Sequence, residues 1–190
     1  MAMKRFPLEK YATLELNHVE FARTGNLIAQ TPLGEEFTVE APCENGMWVC
    51  ADRSKGVVAS IEDVNEPIGV VYTAEKEYDM YHYGLKHFGR KVAGDYPRVG
   101  ILEKGDSMTT NCLQYDDGEF ASEEDLYAAL AAWKETPVYV VPVVGSPVPQ
   151  LTATKPAEGT FGKVCKFYTV PNGERGVKSQ ITNIEWRCEL

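Results

Sequence analysis

Short apolar runs separated by Gly, Asn, Asp and Pro turns recur along most of this 190-residue chain, and that rhythm constrains the fold more than any other feature. The runs occupy 14–21, 47–51, 57–61, 68–72, 99–102, 138–144 and 177–186. Apolar runs of strand length, punctuated by turn residues, specify a β-rich domain. The expected fold is mainly β with a minor α component. It is a compact β-barrel or sandwich-like domain with one amphipathic helix and extended arms.

Several local signals refine this expectation. Leu14 and Leu16, then Val19 and Phe21, give two period-2 stretches with a phase change near His18, which a bulge or a strand end would produce. Asn45-Gly46 predicts a tight turn before MWVCAD, and 53–56 predicts a hairpin loop into VVASI. Asn65-Glu66-Pro67 then leads into IGVVY. Three strands with such short links predict a meander. Ser122 followed by Glu123, Glu124 and Asp125 predicts a helix start, because acids favour the positive end of the helix dipole. Leu126, Ala129, Leu130 and Trp133 fall at i, i+3, i+4 and i+7, so the helix over 122–133 carries one apolar stripe. Pro137 stops it. Pro142 inside VYVVPVV predicts an edge strand or a bulge. The Pro- and Thr-rich stretch 145–160 reads as a linker or an extended arm. The C-terminal part, 161–190, reads as a hairpin closed around PNGERG at 171–176.

These signals divide the chain into an N-terminal arm (1–12), a β-rich core (13–112) with a long loop (73–97), and a helix-plus-hairpin region (113–190) packed on that core. The length suffices to bury a real core. Lys4 and Arg5 have no apolar stretch behind them, so no secretory signal is expected, and no run approaches the length of a membrane span. Cys43, Cys50, Cys112, Cys165 and Cys188 are odd in number and widely spaced. They are expected to be reduced thiols acting as small core hydrophobes.

Catalytic and metal-binding patterns are sparse. His18, His82 and His87 are the only histidines, the last two lie five apart, and no Cys-x-x-Cys pair occurs, so no metal site or cofactor is expected. The G-x-S-x-G elbow, the phosphate loop and the dinucleotide fingerprint do not occur. A nucleophile built from Cys112 with His82 or His87 would have to be assembled in space, and a buried thiol is the expectation instead.

Two charge features are sharper. Lys86, His87, Arg90, Lys91 and Arg98 form a basic segment on a chain of net charge −9, interleaved with aromatics that include Tyr78, Tyr81, Tyr83, Phe88 and Tyr96. Basic and aromatic residues together suit nucleic-acid contact or a protein interface. Tyr81, Tyr83, Lys86, Arg90, Lys91 and Arg98 are the candidate interface residues. The overall acidity disfavours nonspecific nucleic-acid binding, which needs Lys and Arg against phosphate. The second feature is acidic: Asp116, Asp117, Glu119, Glu123, Glu124 and Asp125, with no Lys or Arg between Leu113 and Trp133. Each is either a solvated face or half of a heterologous contact.

The stretches RTGNLIAQTPLG (23–34), ENGMWVCADRSKGVV (44–58), EPIGVVYTAEKEYD (66–79), YPRVGILEKGDSMTTN (96–111) and VPNGERGVKSQIT (170–182) resemble virion structural proteins of tailed bacteriophages from Gram-positive hosts. The resemblance is to head decoration or auxiliary capsid proteins. It implies no enzyme activity. It implies many copies bound to a major capsid protein lattice and to one another, on the outer face as cement or on the inner face as lining. Synthesis would be in the host cytoplasm and residence in the virion. Contact with nucleic acid would arise only on the inner face. The other readings are a phage-encoded Cys/His hydrolase and a tail or connector protein.

Overall fold

In a computed structural model, the structure describes residues 3–5, 14, 19–22, 27–28, 30–73, 91–171 and 180–189. In chain order the elements are β1 (Met3–Arg5), β2 (Val19–Glu20), β3 (Leu27–Ile28), β4 (Trp48–Cys50), β5 (Ile68–Val71), β6 (Val99–Ile101), β7 (Ser107–Thr110), β8 (Gln114–Asp116), α1 (Glu123–Ala131), β9 (Tyr139–Val143), β10 (Ser146–Thr152), β11 (Phe161–Pro171) and β12 (Gln180–Glu189). The fold is mainly β with one helix among the described residues, as the apolar rhythm predicts.

Two sheets form. The larger has the order β1-β8-β10-β9-β11-β12-β7-β2 and the smaller β3-β6-β5-β4. In the larger sheet the β8–β10 pair is parallel, and the other strand pairings in both sheets are antiparallel. On β12 the period of two is clean: Ile184, Trp186 and Cys188 are buried, while Glu185 and Arg187 turn away. The inner face of the large sheet meets Trp48, Ile68 and Val70 of the small one in a single core with Leu151, Val164, Ile184 and Trp186. Trp48 and Trp186 cross that interface edge to face, their ring centroids 5.2 Å apart.

The small sheet is buried on both faces. Val49, Val71 and Val99 point the other way, into a second cluster with Leu33, Phe37, Cys43 and Met47 from the preceding loop and with Cys112 and Val148. A sheet covered on both sides has no solvent face to alternate with, so 47–51 and 68–72 are continuous apolar runs.

The helix forms where its signals lie. Ser122 Oγ accepts a hydrogen bond from the Asp125 amide at 3.1 Å, and Leu126 and Leu130 are fully buried. Tyr127 stacks on Phe167 of β11, with centroids 5.7 Å apart. The strands β11 and β12 pair over most of their length as the C-terminal hairpin, and the residues between them, 172–179, lie outside the described residues.

Two expectations change. The segment 57–59 does not sit between β4 and β5 as a meander requires. Cys50 bridges Ala59 on one side and pairs with Ile68 on the other, so β4 is the middle element. The connecting turn is folded around Lys55, whose Nζ donates to Glu62 at 2.8 Å and Glu66 at 2.6 Å, while Val58 bridges Leu33 in the covering loop. Second, half of the stretch read as a linker is β10, in the interior of the large sheet. Its prolines, Pro147 and Pro149, lie where the register with β9 shifts between Ser146 and Gln150, so their missing N–H groups leave no regular ladder bond unmade. Pro142 faces the same irregular stretch, beyond the two residues of β9 that pair with β11. The acidic run stays largely at the surface, with Glu119, Glu123, Glu124 and Asp125 exposed, and two of its members are tied into the fold. Asp116 Oδ1 accepts from the Gly118 amide at 2.8 Å. Glu119 Oε1 accepts from Thr152 Oγ1 at 2.8 Å and from the Ala153 amide at 2.6 Å.

Candidate functional site

Of the predicted interface residues, Tyr81, Tyr83, Lys86 and Arg90 lie outside the described residues, and Lys91 and Arg98 lie within them. The structure shows how the chain on either side of 74–90 is fixed. Before it, Asn45 grips Thr73 in both directions: Asn45 Nδ2 donates to the Thr73 carbonyl and the Thr73 amide donates to Asn45 Oδ1, each at 2.9 Å. After it, Lys91 and Cys43 exchange two backbone hydrogen bonds, each 2.8 Å. One turn, 43–46, therefore holds both roots of the basic and aromatic segment.

The residues of that turn fit the task. Asn45 is fully buried, and an Asn side chain offers the donor and the acceptor needed to satisfy one backbone N–H and one C=O. Gly46 has φ +90°, and a Cβ there would lie 2.6 Å from Cys112 Cβ and 2.7 Å from Thr110 Oγ1. Only glycine lets the turn sit this close to the end of β7. Binding residues are commonly carried on loops held by a rigid scaffold, and this turn supplies such a scaffold.

Beside the roots lies an exposed aromatic and cationic surface. The Arg98 guanidinium stands 5.9 Å from the centre of the Tyr72 ring, and Tyr72 packs on Phe21 with centroids 5.1 Å apart. Burial pushes the Tyr72 phenol up, and the neighbouring Arg98 charge opposes this. Tyr96 is 60% exposed. Tyr and Arg with one face open suit a protein contact, because both are enriched at interfaces and among the residues that dominate binding.

A separate cleft of about 470 Å³ opens on the outer face of the large sheet, between β2, β7, β11 and β12. Glu20, Ser107, Cys165, Glu185 and Arg187 line it. Cys165 is the extra residue of a bulge, since Val164 pairs with Trp186 and Lys166 with Glu185. Partial burial and the Glu185 charge push its thiol up, against Arg187 and Lys163. Such a thiol is protonated at neutral pH and is not an activated nucleophile. The other four cysteines are free and buried. Burial, as the largest cause, raises Cys43 well above the usual thiol range and brings Cys112 and Cys188 up to about 12. Cys112, the thiol considered for a Cys–His pair, is thus a neutral core group, and the three histidines lie outside the described residues.

Among the described residues no three His, Cys, Asp or Glu side chains gather as a metal site, and no helix is long and apolar enough to cross a membrane. The clamp at 43–46 was not legible beforehand. Asn45-Gly46 signals a turn, but its partners Thr73 and Lys91 are remote in sequence and no local pattern names them. Neither protein-family models, curated proteins nor solved structures give a match to this chain.

Proposed function

We propose that this protein is a non-enzymatic virion structural protein that binds the major capsid protein lattice of a tailed bacteriophage and stabilises the head. The resemblance of five segments to head decoration proteins supplies the partner. The observation that carries the reading is the clamp at 43–46, which anchors both roots of the basic and aromatic segment next to exposed Tyr96 and Arg98. A rigidly rooted interface segment loses less entropy on docking than a free one. Binding the assembled shell and not the free subunits would stabilise it by mass action. The burial of Cys43, Cys50, Cys112 and Cys188, which withdraws four of the five thiols from substrate, supports this reading over a Cys/His hydrolase.

Cosedimentation of the purified protein with assembled heads, over a range of salt concentrations, tests the proposal. Saturable binding at a fixed ratio to the major capsid protein, weakening as salt screens the cationic surface, is the expected result. Binding only when shells assemble in the protein's presence would place it on the inner face. Absence of binding in both formats would refute the capsid role. Self-assembly into tubes or rings without a shell would favour a tail or connector protein.

A further inference from the structure

Strand β1 is held to the body in an unusual way. It forms one end of the large sheet and makes three register pairs with β8: Met3 with Asp116, Lys4 with Tyr115 and Arg5 with Gln114. All three of its residues are exposed, so β1 buries little apolar surface. Its side-chain ties are polar. Lys4 Nζ lies 3.9 Å from Asp117, and Arg5 lies 3.4 Å from Glu44 of the clamp turn.

The strand beneath does not depend on β1. Gln114 and Tyr115 of β8 are buried, and Gln114 Nε2 donates to the Val148 carbonyl at 2.6 Å and to Ser146 Oγ at 3.2 Å. On its other side β8 pairs with β10. Removing β1 would therefore leave β8 in place with one row of backbone N–H and C=O groups open, which is a template for an added strand. On the other side of β1, the next described residue is Leu14, locked in the core between the sheets. A chain of eight residues spans at most roughly 30 Å, which sets the upper limit on the distance between Leu14 of one copy and the β8 edge that its β1 could join.

We infer that β1 is an exchangeable strand, and that the β8 edge of one copy accepts β1 from a second copy of this chain. The acceptor is complementary to β1 in particular, with Asp117 opposite Lys4 and Glu44 opposite Arg5, so a second copy restores every contact that the first loses. Two copies exchanging strands reciprocally satisfy both edges by a two-fold operation. Closure within one chain has the advantage of high effective concentration. Exchange is therefore favoured where copies are crowded together. This contact needs no shell, so its failure would leave the capsid proposal standing, and the converse also holds.

Disulfide trapping distinguishes the two pairings. In a Cys165→Ser background, Met3→Cys and Asp116→Cys are placed on separate copies, mixed at high concentration and oxidised. Strand exchange predicts a dimer of the two different chains on a non-reducing gel, increasing with protein concentration and about tenfold above Met3→Cys alone. The same two substitutions on one chain, at low concentration, predict an intrachain bridge. Mixed single variants that stay monomeric while the double variant closes on itself would overturn the exchange. Failure of the double variant to close would overturn the docking of β1 on β8 altogether. A charge test leaves Asp116 untouched: Arg5→Glu and Glu44→Arg each oppose like charges alone but match when mixed. The mixture should yield more dimer by size-exclusion chromatography than either variant by itself, and equal dimer in all three would refute the charge complementarity.

Discussion

Replacing Asn45 by Ala should release the chain at Thr73 while leaving both sheets intact. The substitution removes two 2.9 Å hydrogen bonds, one to the Thr73 carbonyl and one from its amide. It does so at a fully buried side chain, where water cannot readily replace them. A lost hydrogen bond that leaves a buried partner unsatisfied costs about 1–3 kcal/mol; Thr73 is only half-buried, so each bond falls in the lower part of that range and the pair is worth about 2–3 kcal/mol. For a domain of this size that corresponds to a fall in Tm of roughly 4–12 °C. Asn45→Asp is a sharper control. It retains the acceptor for the Thr73 amide but sets a carboxylate against the Thr73 carbonyl, so it should cost at least as much as the Ala variant. Urea unfolding measures the loss, and limited trypsin digestion measures whether cleavage after Lys76, Lys86 and Arg90 accelerates. An Asn45→Ala variant within 0.5 kcal/mol of the parent, about the range of an ordinary surface substitution, would refute the clamp if its digestion pattern were also unchanged.

Gly46→Ala should destabilise by about 2–4 kcal/mol in thermal melts, because a positive φ and a collision with Cys112 and Thr110 act together. Gly94→Ala, at φ +85° but with open space around its Cβ, should cost only about 1 kcal/mol, and equal losses would contradict the packing argument. Cys112 and Cys188 are raised from 9.0 to about 12 in the folded chain. Stability from their neutral forms is fully present below pH 9 and is lost as pH rises towards 12, and unfolding should expose both to alkylation. Mass spectrometry of the folded protein at pH 8 should find Cys165 modified first; early modification of Cys43 or Cys112 would overturn the burial reading. Arg90→Glu with Lys91→Glu should weaken cosedimentation with heads without changing the circular dichroism spectrum. Unchanged occupancy would remove the basic segment from the interface.

Elements whose causes are local were legible in the chain. The helix needs only Ser122 as a cap, acids in its first turn and Leu126 and Leu130 one turn apart, and all of these lie within ten residues. The strands β4, β5, β6, β9 and β12 announced themselves as apolar runs. Those in the small sheet carry a further message, because an uninterrupted run such as IGVV is what burial on both faces requires. Strand β10 was hidden because Pro147 and Pro149 argue against a sheet interior, and only the register shift opposite β9 accommodates them. The place of 57–59 outside β4 was hidden for a different reason. Short links suggest sequential neighbours, but here the turn at 53–55 carries the chain across to Leu33 instead.

The candidate site divides along the same line. Residue chemistry alone determined that the basic and aromatic segment exists, that its surroundings are acidic, and that the cysteines are suited to the core, since charge and hydropathy belong to residues individually. Tertiary structure alone decided that Asn45 meets Thr73, that Cys43 meets Lys91, and that Arg5 reaches Glu44. Those partners stand 28, 48 and 39 positions apart. Their meeting depends on how two sheets and a covering loop pack around common cores, and packing is a property of the whole chain that no local pattern encodes.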